Sequence, residues 1–211
     1  MRPRTAAGAA ALVLAALALA TWVSVCGASS PAPPAPPAQP PPPPAFVELL
    51  KLLAAHQHGH VRFTEVQYLA VLDRPVESSG ELVYEAPDRL EKRTLKPKPE
   101  TLLLEHGVLS ARRGRHTYVL PLRDYPQVVP FIESIRATLA GDRATLERWF
   151  HVEFQGALAR WTLELAPREA SLAATVKEIH IEGERDAIRT VEIRQSDGDH
   201  SVLTVGAEVG P

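Results

Sequence analysis

In 80-GELVYEAPDRLEKRTLKP-97 the side chains alternate, a proline turns the chain, and a second alternating run follows. Leu82, Tyr84 and Ala86 share one face, which is the two-residue period of a half-buried strand. Pro87-Asp88 makes the corner, and 89–95 returns as the next strand. One face is polar, the other apolar, and no group is arranged for chemistry. This is the pattern of an antiparallel pair with one wet side.

The same pattern extends downstream. Short strands are expected near 100–105, 108–112 and 116–120, separated by Lys-Pro-Lys-Pro, His-Gly and Arg-Gly-Arg. Short strands at this spacing with tight turns predict a meander. Upstream, 60-HVRFTEVQYLAVL-72 reads as a long strand. Before it, Phe46, Leu49, Leu50 and Leu53 in 46-FVELLKLLAAHQ-57 recur at helical spacing.

Helices interrupt the meander. In 128-VVPFIESIRATLAG-141 the apolar positions Val128, Phe131, Ile132, Ile135 and Leu139 fit a helix, with Pro130 in its first turn and Gly141 at its C-terminal cap. Asp142 is the expected N-cap of a second short helix through Trp149. A strand near 150–155 precedes hairpin-linked strands. Trp161, Leu163 and Leu165 share a face in 160-RWTLEL-165, as do Ile179 and Ile181 in 177-KEIHIEG-183, and Val191 and Ile193 in 189-RTVEIRQ-195. The other face carries Glu164, Glu178, His180, Glu192 and Arg194. After the turn Asp197-Gly198-Asp199, 200-HSVLTVGA-207 is the last strand.

These elements predict a mainly β (α+β) domain, a single curved antiparallel sheet that is apolar on its concave side and covered by helices. An incompletely closed sheet leaves room for a ligand, whereas a closed small barrel fills with side chains. Helices inserted between strands must cover a face or plug a mouth. Periodicity leaves a lidded cavity and a packed core both open.

The order of elements resembles a known family. Helix, long strand, G-x-L-x-Y-x-x-P-D-R-L (80–90), meander, helical insertion, W-x-L-x-L-x-P (161–167), then I-x-I-x-G (179–183) and I-x-x-V-x-I (188–193) are similar to the LolA-type lipoprotein carriers, in particular the LolA-related branch. The resemblance spans Phe46 to Val209 and rests on order more than on any one motif. It implies an unclosed β-barrel of LolA/LolB type, with a helical lid over a cavity for the acyl chains of a lipoprotein. Mapped onto this chain, that cavity takes Leu82, Tyr84, Ala86, Trp161, Leu163, Leu165, Ile179, Ile181, Val191 and Ile193, with Phe131, Ile132 and Ile135 on the lid. The implied partners are an acylated lipoprotein or lipid, an inner-membrane export machinery and an outer-membrane acceptor. One position departs from the pattern: Ala86 precedes Pro87, where the carriers have an arginine that latches the lid, so the latch is not carried over.

The N-terminus points outside the cytoplasm. Arg2 and Arg4 precede a long apolar run that ends in small residues, the pattern of a secretory signal. Cleavage after Ala28, an uncleaved anchor, and lipidation at Cys26 are three outcomes, although Val25 sits poorly in a lipobox. Residues 29–45 are a Pro-rich linker, a semi-rigid extended spacer of about 3 Å per residue. The rest, 46–211, has the length of one domain. Cys26 is the only cysteine, so the domain has no internal disulfide. Removing Arg2 and Arg4 takes 23 basic residues to 21 against 25 acids, a net charge near −4. An acidic domain is a poor partner for nucleic acid.

Candidates for chemistry are few. His56, His58 and His60 alternate and share a face in an extended segment, as a zinc or copper set would, but without a nearby acid or cysteine they read as a solvated helix end. Asp197 and Asp199 lack the further oxygen ligands of a calcium loop and read as a hairpin turn. No serine lies in a G-x-S-x-G context. Glu81 and Glu85 alternate on the wet face. Trp161 fits either a core position or a ligand contact. No metal, cofactor or catalytic set is therefore assigned, and the expected protein is not an enzyme. The resemblance implies a periplasmic carrier or chaperone that holds the acyl chains of a lipoprotein or related lipid in a hydrophobic cavity for transport toward the outer membrane. The alternative is a non-enzymatic envelope assembly module with a filled core and a protein partner.

Overall fold

The computed structural model describes residues 42–125 and 129–209. The targeting segment, the Pro-rich linker, Cys26 and Val128 lie outside those residues. Phe46, Leu49, Leu50 and Leu53 form one buried stripe, and the first helix, α1, runs Pro44–Ala54. It is shorter than its apolar pattern suggested because the next strand already starts at His58.

A first meander follows as β1 (His58–Tyr68), β2 (Val76–Glu85), β3 (Arg89–Lys96), β4 (Glu100–Glu105), β5 (Val108–Arg113) and β6 (His116–Pro121). The expected strand through residue 72 stops at Tyr68. Its partner on that side starts only at His200, and beyond Tyr68 the Ala70 N–H donates to the Asp199 carboxylate at 2.7 Å. Leu69 to Leu72 are therefore a turn, and Val71 is 88% exposed. Ala86 likewise falls past the end of β2, in the corner with Pro87, where its N–H donates to the Gln57 carbonyl.

A 3-10 turn (Leu122–Asp124), α2 (Val129–Leu139) and α3 (Arg143–Trp149) then cross to a second meander. This comprises β7 (Phe150–Ala157), β8 (Arg160–Pro167), a single-turn helix α4 (Ala170–Ala173), β9 (Val176–Glu184), β10 (Ala187–Gln195) and β11 (His200–Glu208). Four residues show no periodicity, so α4 had no sequence signal; it forms because Leu172 is buried against the core.

The strands make one sheet in the order β6-β5-β4-β3-β2-β1-β11-β10-β9-β8-β7, antiparallel throughout. The two meanders join where β1 pairs with β11, and β6 and β7 are the two edges. The sheet is not closed, because the chain passes between those edges as helices. Register shifts in β1 at Val61/Phe63 and in β2 at Ser79/Gly80 mark irregularities near the seam, where bulges increase bend and twist.

The turn between the crossing helices follows its residues. Asp142 caps α3, its carboxylate accepting from the Thr145 N–H at 3.1 Å and from the Thr145 hydroxyl at 2.7 Å. Those bonds hold the Asp142 carboxyl below the usual carboxylate range. Asp142→Ala is expected to cost about 1 kcal/mol, read as a lower denaturant midpoint at unchanged slope.

Candidate functional site

The registers define the inner face of the sheet. Phe154, Leu163, Ile181, Val191, Leu203 and Glu65 follow one another across β7, β8, β9, β10, β11 and β1. Val61 opposes Leu82, and Leu82 opposes Lys92. The outer face carries the charges. There Arg194 pairs with Glu192 at 2.8 Å and Glu178 at 3.1 Å, and His180 lies between Glu164 and Glu182. On the same side Glu91 is held by Arg89 and Arg93; chiefly the Arg93 hydrogen bond, then the two cations' attraction, keeps its carboxyl low against an opposing desolvation.

The inner face divides into two parts. Over β7 to β9 it is sealed. Trp161, Leu163, Leu165, Ile179 and Ile181 are all at most 4% exposed and form one cluster with Phe46, Leu49, Leu50 and Leu53 of α1. Ala137 of α2, Leu146 of α3 and Leu172 of α4 complete it. Phe46 stacks on Phe154 with ring centroids 5.5 Å apart. The Trp161 ring lies directly against Gly183, where a Cβ would fall inside the indole. Its Nε1–H donates to the Arg185 carbonyl at 2.9 Å. Each fully buried aliphatic side chain here contributes roughly 1.5–3 kcal/mol.

Over β10, β11, β1 and β2 the inner face is unevenly covered: Phe63 and Tyr84 are buried, at 2% and 8% exposed, whereas the positions around them are half-buried. Val191, Ile193, Leu203, Val205, Val61 and Leu82 keep part of their surface. Val191 and Ile193 border the sealed cluster, whereas Leu82 lies beyond the seam on the other meander. In the middle sits a polar node that alternation did not reveal. Glu65, 7% exposed, accepts from Lys92 at 2.7 Å, from Ser78 at 3.1 Å and from Gln67 at 3.1 Å. The Lys92 ammonium also lies 5.0 Å from the Phe63 ring centroid. A carboxylate this buried needs such partners.

The helix α2 packs on part of the first meander. Ile132 of α2 clusters with Leu104 and Leu122, against Leu90, Leu109 and Val129, while Ile135 is half-buried. Burial pushes the Tyr84 phenol above its usual range, and the Arg136 cation pulls it the other way. Of Phe131 only its place in α2 is described. The ten predicted positions thus fall in four places: five in the sealed cluster, Val191 and Ile193 at its border, Leu82 and Tyr84 on β2, and Ala86 in the corner past its end.

Elsewhere the chemistry is sparse. His56 meets Asp186 at 3.3 Å and His60 meets Glu81 at 3.0 Å, and no metal-ligating group of three exists among the described residues. A groove of about 290 Å³ lies on the outer face, lined among others by Arg62, Thr64, Ser79, Leu95 and Thr204. No helix among the described residues is long and apolar enough to cross a membrane.

A family model described as outer membrane lipoprotein carrier protein LolA-like matches residues 44–209. No curated protein matches the chain. Among solved structures it is similar to the lipoprotein LppX of Mycobacterium tuberculosis, at 9% identity and TM-score 0.45, over 80% of this chain and 97% of that one. It is similar to a LolA superfamily protein of Nitrosomonas europaea at 10% identity and TM-score 0.39, over 76% and 90%. A chain of the MucA/MucB complex of Pseudomonas aeruginosa matches at 14% identity and TM-score 0.41, over 78% and 58%.

Proposed function

Because the chain belongs to the LolA-like family of outer membrane lipoprotein carrier proteins, we propose that it binds the acyl chains of a lipoprotein or related lipid and carries them across the bacterial envelope. The binding surface is the half-buried part of the inner face, from Val191 and Leu203 across the seam to Leu82, with the buried Tyr84 beside it. One observation supports this above the others: the helices pack fully over β7 to β9, whereas Val191, Leu203, Val205, Val61 and Leu82 keep part of their surface. Apolar surface that stays half-exposed on a concave face gains by taking up an apolar ligand. Binding of this kind requires no reacting group.

In this reading residues 1–28 direct the chain outside the cytoplasm, 29–45 space it from that end, and 46–211 bind. Export machinery in the inner membrane supplies the cargo and an outer-membrane acceptor receives it. The second reading, an assembly module with a filled core that binds a protein partner, draws on the five sealed positions from Trp161 to Ile181.

Native mass spectrometry of protein purified from its own membrane fraction tests both, since it reports the N-terminus and any bound lipid. The matching variant is Val191→Phe. An open site accommodates the larger ring, so the melting temperature is expected to move by less than about 3 °C. Affinity for a fluorescent fatty-acid probe is expected to fall about tenfold, as lost cavity volume removes on the order of 1.4 kcal/mol of contact. A large drop in melting temperature, with no lipid and no probe binding in the parent chain, means a filled core and rejects the carrier reading.

A further inference from the structure

β6 ends the sheet, with β5 on one side and no described strand on the other. Edge strands present a row of unpaired backbone groups, which proteins normally guard with charges, prolines, bulges or a cover. The opposite edge, β7, exposes His151, Glu153 and Gln155. β6 is bare by comparison. From Thr117 to Leu120 it reads Thr-Tyr-Val-Leu, without charge or proline, and its ladder with β5 runs without a bulge. Tyr118 is 59% and Val119 61% exposed, on opposite faces of the strand.

Ladder phase shows which groups are free to pair. Arg113 and His116 flank the two-residue turn Gly114-Arg115, and such a turn is closed by a hydrogen-bonded pair. Paired and unpaired positions alternate from there. Thr117 and Val119 fall in the unpaired positions, so their N–H and C=O groups face the open edge.

The charge beside this edge is mainly basic, and of its arginines Arg123 is paired with Asp124 at 3.6 Å. Residues 106–123 contain Arg112, Arg113, Arg115 and Arg123 and no acid, in a chain of net charge −2. Glu100 engages Arg113 at 2.6 Å from β4, while Arg112 and Arg115 are exposed, and Arg112 lies opposite Thr117. We infer that β6 is a docking edge for an extended acidic segment of a partner protein, which adds to the sheet as a further antiparallel or parallel strand. Its backbone pairs with Thr117 and Val119, and its carboxylates meet Arg112 and Arg115. A second β6 is disfavoured as occupant, since it brings a second arginine-rich hairpin against the first. A lipid surface offers the negative charge but no strand for the backbone groups. This inference stands apart from acyl binding.

The test titrates the full chain with a capped peptide of about nine residues, the length of a long strand, alternating Thr or Val with Glu. Its Lys-for-Glu counterpart is the control. Calorimetry is expected to show the acidic peptide binding at least tenfold more tightly, with amide exchange slowed at Thr117 and Val119. Val119→Pro removes one outward donor without touching the ladder to β5, and is expected to weaken binding about tenfold at unchanged melting temperature. Arg112→Glu with Arg115→Glu is expected to reverse the preference between the peptides, which keeps the test valid if the proline variant misfolds. Equal binding of both peptides, or binding untouched by either change, overturns the inference. So does concentration-dependent dimerisation that Val119→Pro abolishes, which assigns the edge to a second copy. Binding to phosphatidylglycerol vesicles that needs Arg112 and Arg115 but not Val119, with no peptide binding, also overturns it.

Discussion

Trp161→Ala is expected to remove about 3–5 kcal/mol of stability, the range for emptying a large aromatic site in a packed core. The indole is 1% exposed, lies against Gly183 and donates to the Arg185 carbonyl. Four helices and three strands close around its cluster, so little can collapse into the gap. The expected readout is a strong fall in denaturant midpoint with the slope kept. Fatty-acid probe binding per folded molecule is expected to stay within about twofold, because the proposed binding surface is on the other part of the inner face. Loss of probe binding with stability retained places the ligand against Trp161 and moves the site to the half described as sealed.

Gly141→Ala is the second large effect, at about 2–6 kcal/mol, and it acts through the backbone. Gly141 adopts a φ of 63°, which costs a residue with a side chain on the order of 1–3 kcal/mol. A Cβ there would also run into the Leu50 carbonyl and come within 3.0 Å of the Ala54 Cβ, and forced overpacking adds roughly 1–3 kcal/mol. Leu50 and Ala54 belong to α1, so the turn between α2 and α3 is seated on that helix. The variant is expected to lower the melting temperature by about 5 °C or more and to speed amide exchange in α1 ahead of the strands. Equal acceleration in β8 and β9 means that α1 and the sheet unfold as one unit.

Much of this architecture is legible from local pattern. Trp161, Leu163 and Leu165 alternate with polar neighbours because one side of β8 is packed and the other is wet, and the same holds for β9. Asp142 and Gly141 announce the helix turn because capping and positive φ are properties of single residues. The stripe on α1 is equally local. Boundaries were less legible. Leu69 to Leu72 continue an apolar run, yet lie outside β1 because the partner strand has ended.

The division of the inner face was not legible either. Val191 and Ile181 look alike in sequence; they differ in burial because Ile181 lies within the helix-covered cluster and Val191 only borders it. Glu65 reads as a polar break in a strand. Its role emerges when Lys92, 27 residues on, and Ser78 from the neighbouring strand converge on it.

The sequence by itself determined all the strands, the longer helices and the two sides of each strand, since these follow from side-chain periodicity within a few residues, but not α4 or the exact ends. Only the tertiary structure decided that β1 pairs with β11 across the chain, which leaves β6 and β7 as edges and makes the helices the crossing between them. The physical reason is that pairing between distant strands depends on accumulated register, bulges and twist. No short window contains these, and burial, edge exposure and buried ion pairs all follow from them.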